Sequence, residues 1–245
     1  MSLFSFEHVT KRYTDGHCVR TVFEDVSFEV DAGDFVGLWG MRRSGKSTLL
    51  RVAAGIELPD GGQIFFDGQE LTKLSGEQRA KVMRANGIGF VSSDWRPVVS
   101  QSVIDYISAA LLADKLSLKK ARPIVREYLD RMGVLNCAHA LTDQLSIYDS
   151  MRVGLAHALV RKPRLLFVDE PAVVPSPSER QEFYELLMSL GKDPSLAVLV
   201  ASEDLGAVSK ARRMMTIGSG SLRSTDKEGK VVSFPAGRVS DGRSG

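Results

Sequence analysis

Cysteine is almost missing: the 245-residue chain carries two, Cys18 and Cys137, far apart and without the spacing of a metal-ligand pair. That pattern excludes a disulfide framework or a thiolate zinc site and reads as a reduced, cytosolic chain. Long apolar runs are missing too, none approaching the ~20 residues a membrane span needs. The opening residues, MSLFSFEHVTKRY, lack the apolar centre of a secretory leader. If the protein serves a membrane, another chain is expected to do the crossing. Nor is charge of one sign in excess. The formal net charge is +2 with no long basic run, so nothing recommends nucleic acid as a partner. No internal repeat is evident. What is present, 43% hydrophobic and 25% charged residues, suits one large α/β domain or such a domain with an inserted lobe.

Against this ordinary background the stretch GMRRSGKST stands out, formed by Gly40, Met41, Arg42, Arg43, Ser44, Gly45, Lys46, Ser47 and Thr48. It fits G-x-x-x-x-G-K-[ST], a loop whose backbone N–H groups converge on a phosphate. Asp34 to Trp39 (DFVGLW) before it reads as a buried strand, and LLRVAA after it reads as the apolar side of a helix. Strand, loop and helix in that order are the context the motif requires, with the positive end of the helix macrodipole aimed at the anion. Lys46 is expected to reach the outer phosphates, and Ser47 to hold a magnesium ion. The expected ligand is a nucleoside triphosphate, ATP.

Taken in order, Phe4–Val9 and Asp25–Val30 read as strands, with Tyr13 in a loop between them, as a surface aromatic or a stacking platform for a nucleobase. Leu58–Gln63 reads as a turn, and Ile64–Phe66 followed by Asp67-Gly68 as a strand entering another. IGFV at Ile88–Val91 is a core strand. From about residue 94 to 150 the pattern turns helical, over Ser102–Asp114 and Lys119–Met132; Val125, Tyr128, Leu129 and Met132 line one face of the second. Pro123 should sit in its first turn or kink it. Leu165–Val168 ending in Asp169 and Glu170 suits a central parallel strand with acids at its carboxyl end. Beside the phosphate loop, Asp169 becomes a magnesium partner and Glu170 the group that polarises the attacking water. Ala197–Ala201 is one more buried strand and Met214–Ile217 an edge hairpin. The chain becomes Ser, Gly and Arg rich beyond about Ser221, with disorder expected from Pro235.

Phosphate loop, helical insertion and DE-ended strand, in that order, resemble the ATP-binding subunit of an ABC transporter over roughly residues 3 to 223. LTKLSGEQRA and MRANGIGFV look most like the branch serving lipoprotein release, macrolide export and the cell-division ABC pair. The resemblance implies an α/β cassette with a RecA-like core, an antiparallel β subdomain and an inserted helical subdomain (about 94–150), the cassette filling 1–225 and a flexible tail 226–245. It implies ATP and Mg2+ as ligands, Tyr13 as the adenine-stacking aromatic, and Ser146 in the signature segment that serves a second ATP-binding subunit. A separate integral-membrane permease is the implied partner, with this chain peripheral on the cytoplasmic face of the membrane.

The departures from that family are informative. Its LSGGQ reads Leu145, Ser146, Ile147, Tyr148, Asp149 here, with Arg152 retained. Ile147 and Tyr148 put side chains where glycines admit a phosphate, and Asp149 adds charge. Two like unit charges 4 Å apart cost about 4 kcal/mol at an effective dielectric near 20, before screening. The family's glutamine matches Ser93, its switch histidine matches Glu203, and its SALD segment reads Val173, Val174, Pro175, Ser176. A carboxylate at 203 donates no hydrogen bond unless protonated, and ionised it repels phosphate. Met41, Arg42 and Arg43 replace a gentler Pro-Ser-Gly. These changes suggest the degenerate member of an asymmetric heterodimer, with a regulatory or structural subunit of little hydrolysis as the alternative. An ABC-type ATPase acting on DNA or ribosomes is disfavoured by the near-neutral charge and the lack of a coiled-coil insertion or tandem cassette.

Overall fold

The computed structural model describes residues 2–16, 18–85, 87–92, 95, 100–169 and 176–226. Ser93, Glu170, Val173, Val174, Pro175 and the tail from residue 227 lie outside the described residues.

Two sheets share a core behind the phosphate loop. The first is antiparallel, in the order β2-β1-β4-β5, from β1 (Phe4–Asp15), β2 (Cys18–Val30), β4 (Gly61–Phe66) and β5 (Gln69–Glu70). The second follows the order β10-β9-β3-β8-β7-β6, built from β3 (Phe35–Trp39), β6 (Ile88–Val91), β7 (Leu165–Asp169), β8 (Ala197–Ser202), β9 (Arg213–Gly218) and β10 (Ser221–Asp226). Its pairs are parallel except β9 with β10. Both faces of the parallel strands are covered, which is why LLFV and AVLVA read as unbroken apolar runs. Alternate residues serve alternate faces. Leu165, Phe167, Leu199 and Ala201 join a core with Phe4, Phe6 and Phe28 of the first sheet. Leu166, Val168, Val198 and Val200 join the helices on the other side. Phe4 meets Phe167 edge-on at 5.7 Å between ring centroids, which ties the sheets together.

Helix α1 (Lys46–Ala53) follows β3, and α2 (Gly76–Arg84) starts at a capping box between Ser75 and Gln78. Then come α3 (Val103–Leu112), α4 (Leu118–Arg131), α5 (Ile147–Leu159), α6 (Pro177–Leu190) and the short α7 (Leu205–Val208). Val125, Tyr128, Leu129 and Met132 are all buried, as their spacing requires.

Three expectations need correction. Tyr13 lies within β1, paired across the hairpin with Arg20, and β2 begins at Cys18 rather than Asp25. Register shifts between Phe6 and Arg12 break the alternation, so this polar half of the hairpin reads as a loop. Strand β4 already starts at Gly61, inside the segment read as a turn. Pro123 sits past the first turn of α4, where the carbonyl of Lys119 loses its N–H donor while the helix runs on to Arg131. The edge hairpin expected at Met214–Ile217 is present, with β10 as its second strand.

Candidate nucleotide site

Strands β3, β7 and β8 run in parallel and end at one edge of the sheet, with Trp39 opposite Ser202 and Asp169 opposite Ala201. That topology brings three distant pieces of sequence together: the loop after β3, the acid at the tip of β7 and Glu203 after β8. Two glycines shape the loop. A Cβ at Gly40 would lie 2.6 Å from Ser44 Oγ and 2.7 Å from the carbonyl oxygen of Ile217. Gly45 caps α1 with φ of 104°, a left-handed conformation that side chains resist.

Lys46 is buried to 5% exposure at the start of α1. Its Nζ donates to the carbonyl oxygens of Gly40 at 2.8 Å and Met41 at 3.1 Å, and lies 3.8 Å from Glu203 Oε1. Beside it Ser47 Oγ donates to Asp169 Oδ1 at 3.1 Å, joining residues 122 positions apart. Ser44 Oγ is buried without a hydrogen-bond partner among the described residues. A buried orphan hydroxyl is costly unless a ligand satisfies it. No acid occupies the first turn of α1 and no side chain caps it, which leaves its N–H groups and positive dipole end to an outside anion.

The loop opens into a cleft of about 320 Å³, walled by Tyr13, Arg20, Val22, Arg42, Arg43, Ser44 to Thr48 and Glu203. Among the described residues of that wall, one carboxylate stands with three arginines and Lys46. Gly40 and the 71% exposed Met41 complete the loop outside that wall. Arg20 and Val22 were not legible as site residues, because only the β1–β2 pairing brings them here.

Tyr13 is held on several sides. Its hydroxyl donates to Glu57 Oε2 at 2.6 Å, and Lys11 Nζ sits 5.3 Å from its ring centroid. Arg51, in the last turn of α1, binds Glu57 at 2.5 Å and approaches the Tyr13 hydroxyl at 3.5 Å. Burial works against the Glu57 carboxylate, yet the bonds from Tyr13 and Arg51 outweigh it and hold its pKa below the ordinary glutamate range.

Ser146 does not line the cleft; it caps α5. Its Oγ accepts from the Asp149 N–H at 3.0 Å and donates to Asp149 Oδ2 at 2.7 Å. Arg152 binds Asp149 at 2.6 Å, donates to the carbonyl of Gly133 at 2.9 Å and lies 4.1 Å from the Tyr148 ring centroid. Tyr148 in turn donates to Glu182 at 3.0 Å, and burial with that bond pushes its pKa up to about 12. The repulsion expected from Asp149 is thus weakened at its source, because Arg152 already pairs with the charge.

A glycine-bounded loop after β3, with the acid-tipped strand β7 one place further along the sheet beyond β8, is the architecture of a P-loop nucleotide-binding protein. The sequence narrows this: residues 23–173 match the ABC transporter family, and the chain belongs to that family, whose cassettes are ATPases. The cell-division ATP-binding protein FtsE of Escherichia coli (strain K12) is 32% identical over 221 residues, covering 90% of this chain and 97% of FtsE. The methionine import ATP-binding protein MetN 1 of Yersinia pestis bv. Antiqua is 30% identical, over 95% of this chain and 68% of its own. The cell-division relative agrees with the branch suggested by the residues around Met83 to Val91. In fold, the chain superposes on the dimeric ATP-binding cassette MJ0796 in a post-hydrolysis state bound to ADP and Pi, with a TM-score of 0.83 at 23% identity. That match covers 94% of this chain and 100% of the other. CbiO1 of Clostridium perfringens, part of the transporter complex cbiONQ, gives 0.78 at 25% identity over 90% and 86%. The chain is an ATP-binding subunit of this transporter class, and among the described residues no helix is long and apolar enough to cross a membrane.

Proposed function

We propose that the cleft binds MgATP and that the chain couples its binding and hydrolysis to a separate integral-membrane permease, as the degenerate member of an asymmetric pair of ATP-binding subunits. The observation that carries the first half is Ser47 bonded to Asp169 beside buried Lys46, at a helix N-terminus without an acid of its own. Ser47 and Asp169 offer hard oxygen donors, which suit magnesium, an ion that takes few protein ligands and completes its shell with water and phosphate. Bound there, the ion would neutralise charge building on the phosphate oxygens during transfer. Lys46 adds a point charge, Ser44 a hydrogen bond and Tyr13 a surface for the base. Glu170, next in the chain after Asp169, is the group proposed to orient the attacking water. The helical subdomain, about residues 94–150, would pass opening and closing to the permease from the cytoplasmic face.

The second half rests on Glu203 and the start of α5. Paired with itself, the chain would set Glu203 of one copy and Ile147, Tyr148 and Asp149 of the opposing copy against the same γ-phosphate at each site. Paired with an intact cassette, each site would draw its missing parts from the partner. The contact between Lys46 and Glu203 also favours a second reading, a regulatory subunit that holds nucleotide with little turnover. Particle mass and ATPase rate of the purified chain in MgATP test the pairing. The expected result is no homodimer and slow turnover; a homodimer with brisk hydrolysis overturns it. Single-turnover decay of bound ATP against Glu170→Gln separates the two readings: a measurable rate lost in the variant supports the enzyme, and no rate to lose supports the regulator.

A further inference from the structure

Tyr13 belongs to the antiparallel sheet, whereas the phosphate loop opens α1 on the other. A stacking platform is useful only if its ring stands at a set distance from the phosphate cradle. Three bonds supply that setting. Glu57 follows α1 and accepts from the Tyr13 hydroxyl at 2.6 Å, while Arg51 of α1 binds the same carboxylate at 2.5 Å and reaches Thr48 Oγ1 at 3.5 Å. The anchor of the ring is therefore the helix whose first turn faces the phosphates. The backbone around Tyr13 has separate ties, Arg12 N–H to Asp60 at 2.6 Å and Lys11 Nζ to the carbonyl of Leu58 at 2.8 Å. Losing Glu57 would thus release the ring without releasing the hairpin. Lys11 lies over the ring at 5.3 Å, and Tyr13, 39% exposed, retains open surface on the cleft.

We propose that Glu57, braced by Arg51, is a positioning residue that fixes the Tyr13 ring as the platform for the planar base of the nucleotide. The inference rests on the nucleotide reading of the cleft and concerns only its base end. Inorganic tripolyphosphate, which has phosphates and no base, separates the two ends.

Calorimetric titration of the full chain with MgATP and with magnesium tripolyphosphate gives the test. Glu57→Ala and Tyr13→Phe should each weaken MgATP by about fivefold, the scale of one lost hydrogen bond, and leave tripolyphosphate within twofold. Tyr13→Phe keeps the ring, so its loss reports the anchor rather than the aromatic surface. The double variant should be no weaker than Glu57→Ala alone, since both remove the same bond. Glu57→Gln, whose amide oxygen can still accept from the phenol, should recover most of the MgATP affinity. Equal weakening of both ligands, additive single effects, or unchanged MgATP affinity in Glu57→Ala would each overturn the proposal. If neither ligand binds the unmodified chain, it is the nucleotide reading itself that fails.

Discussion

Helices α1 and α5 both begin beside a serine-bearing segment for which the resemblance implies a role in holding phosphate, and they begin in opposite electrostatic states. The first turn of α1 has no acid and no side-chain cap, and the buried Ser44 hydroxyl beside it has no hydrogen-bond partner among the described residues. The first turn of α5 brings its own anion: Asp149 satisfies Ser146, occupies Arg152 and sits in the dipole's positive end. A helix N-terminus is an anion site only while its donors are unspent. By that measure α1 is built to receive a charged ligand and α5 has already received one from its own chain.

The contrast is broken most severely at Lys46. Lys46→Ala should reduce MgATP affinity ~100-fold or more, the worth of charge-assisted bonds to the outer phosphates. Calorimetry with a thermal melt as folding control checks it; unchanged affinity would mean that α1 is no more an anion site than α5. A pH series sharpens the other side. His157, in the last turn of α5, packs near Trp95 and Tyr106, and burial, aided by Arg161, lowers its pKa to about 4. The unfolded chain takes up a proton near pH 6.5 that the folded chain refuses until about 4. Stability is therefore full above ~6.5 and falls with pH below it, by ~2 kcal/mol between pH 7 and 5. Urea midpoints at the two pH values, flattened in His157→Leu, would show that α5 is maintained by internal packing.

Glu203→Gln addresses the acid that lines the cleft among the described residues. Removing a half-exposed like charge near the triphosphate should tighten MgATP by about tenfold at pH 7, the Coulomb figure being discounted for solvent. An unchanged affinity would show that Glu203 turns away once nucleotide enters. The smallest effect belongs to Ser146→Ala, which should cost ~1 kcal/mol of folding stability through the lost cap. Urea unfolding measures it. A much larger fall in MgATP affinity of the isolated chain would mean that Ser146 serves its own subunit's nucleotide, contrary to the placement at α5.

How much of this could be read beforehand followed the range of the contacts. Strand β3, the loop and α1 are contiguous, so composition and motif located them together. Strands β7 and β8 declared themselves because burial on both faces leaves no polar interruption. Tyr13 was misplaced into a loop because its half of the hairpin is solvated and its register shifts hide the alternation. Helix α6 went unread although its start carries the signals, Ser176 as cap, Pro177 in the first turn and Glu179 accepting the dipole. The Lys46–Glu203 contact joins residues far apart in sequence, and the Glu57 anchor depends on a hairpin laid across α1. Neither leaves a local pattern. Substitutions at 147–149 were visible as departures, but only coordinates show Asp149 turned inward onto Arg152 and Ser146.

The most direct measurement is calorimetric titration of the purified chain with MgATP, run beside Lys46→Ala and with the number of sites per chain recorded. One site per chain, lost in the variant, is the result expected of a single open cradle at α1. Absence of heat, or binding indifferent to Lys46, would contradict it.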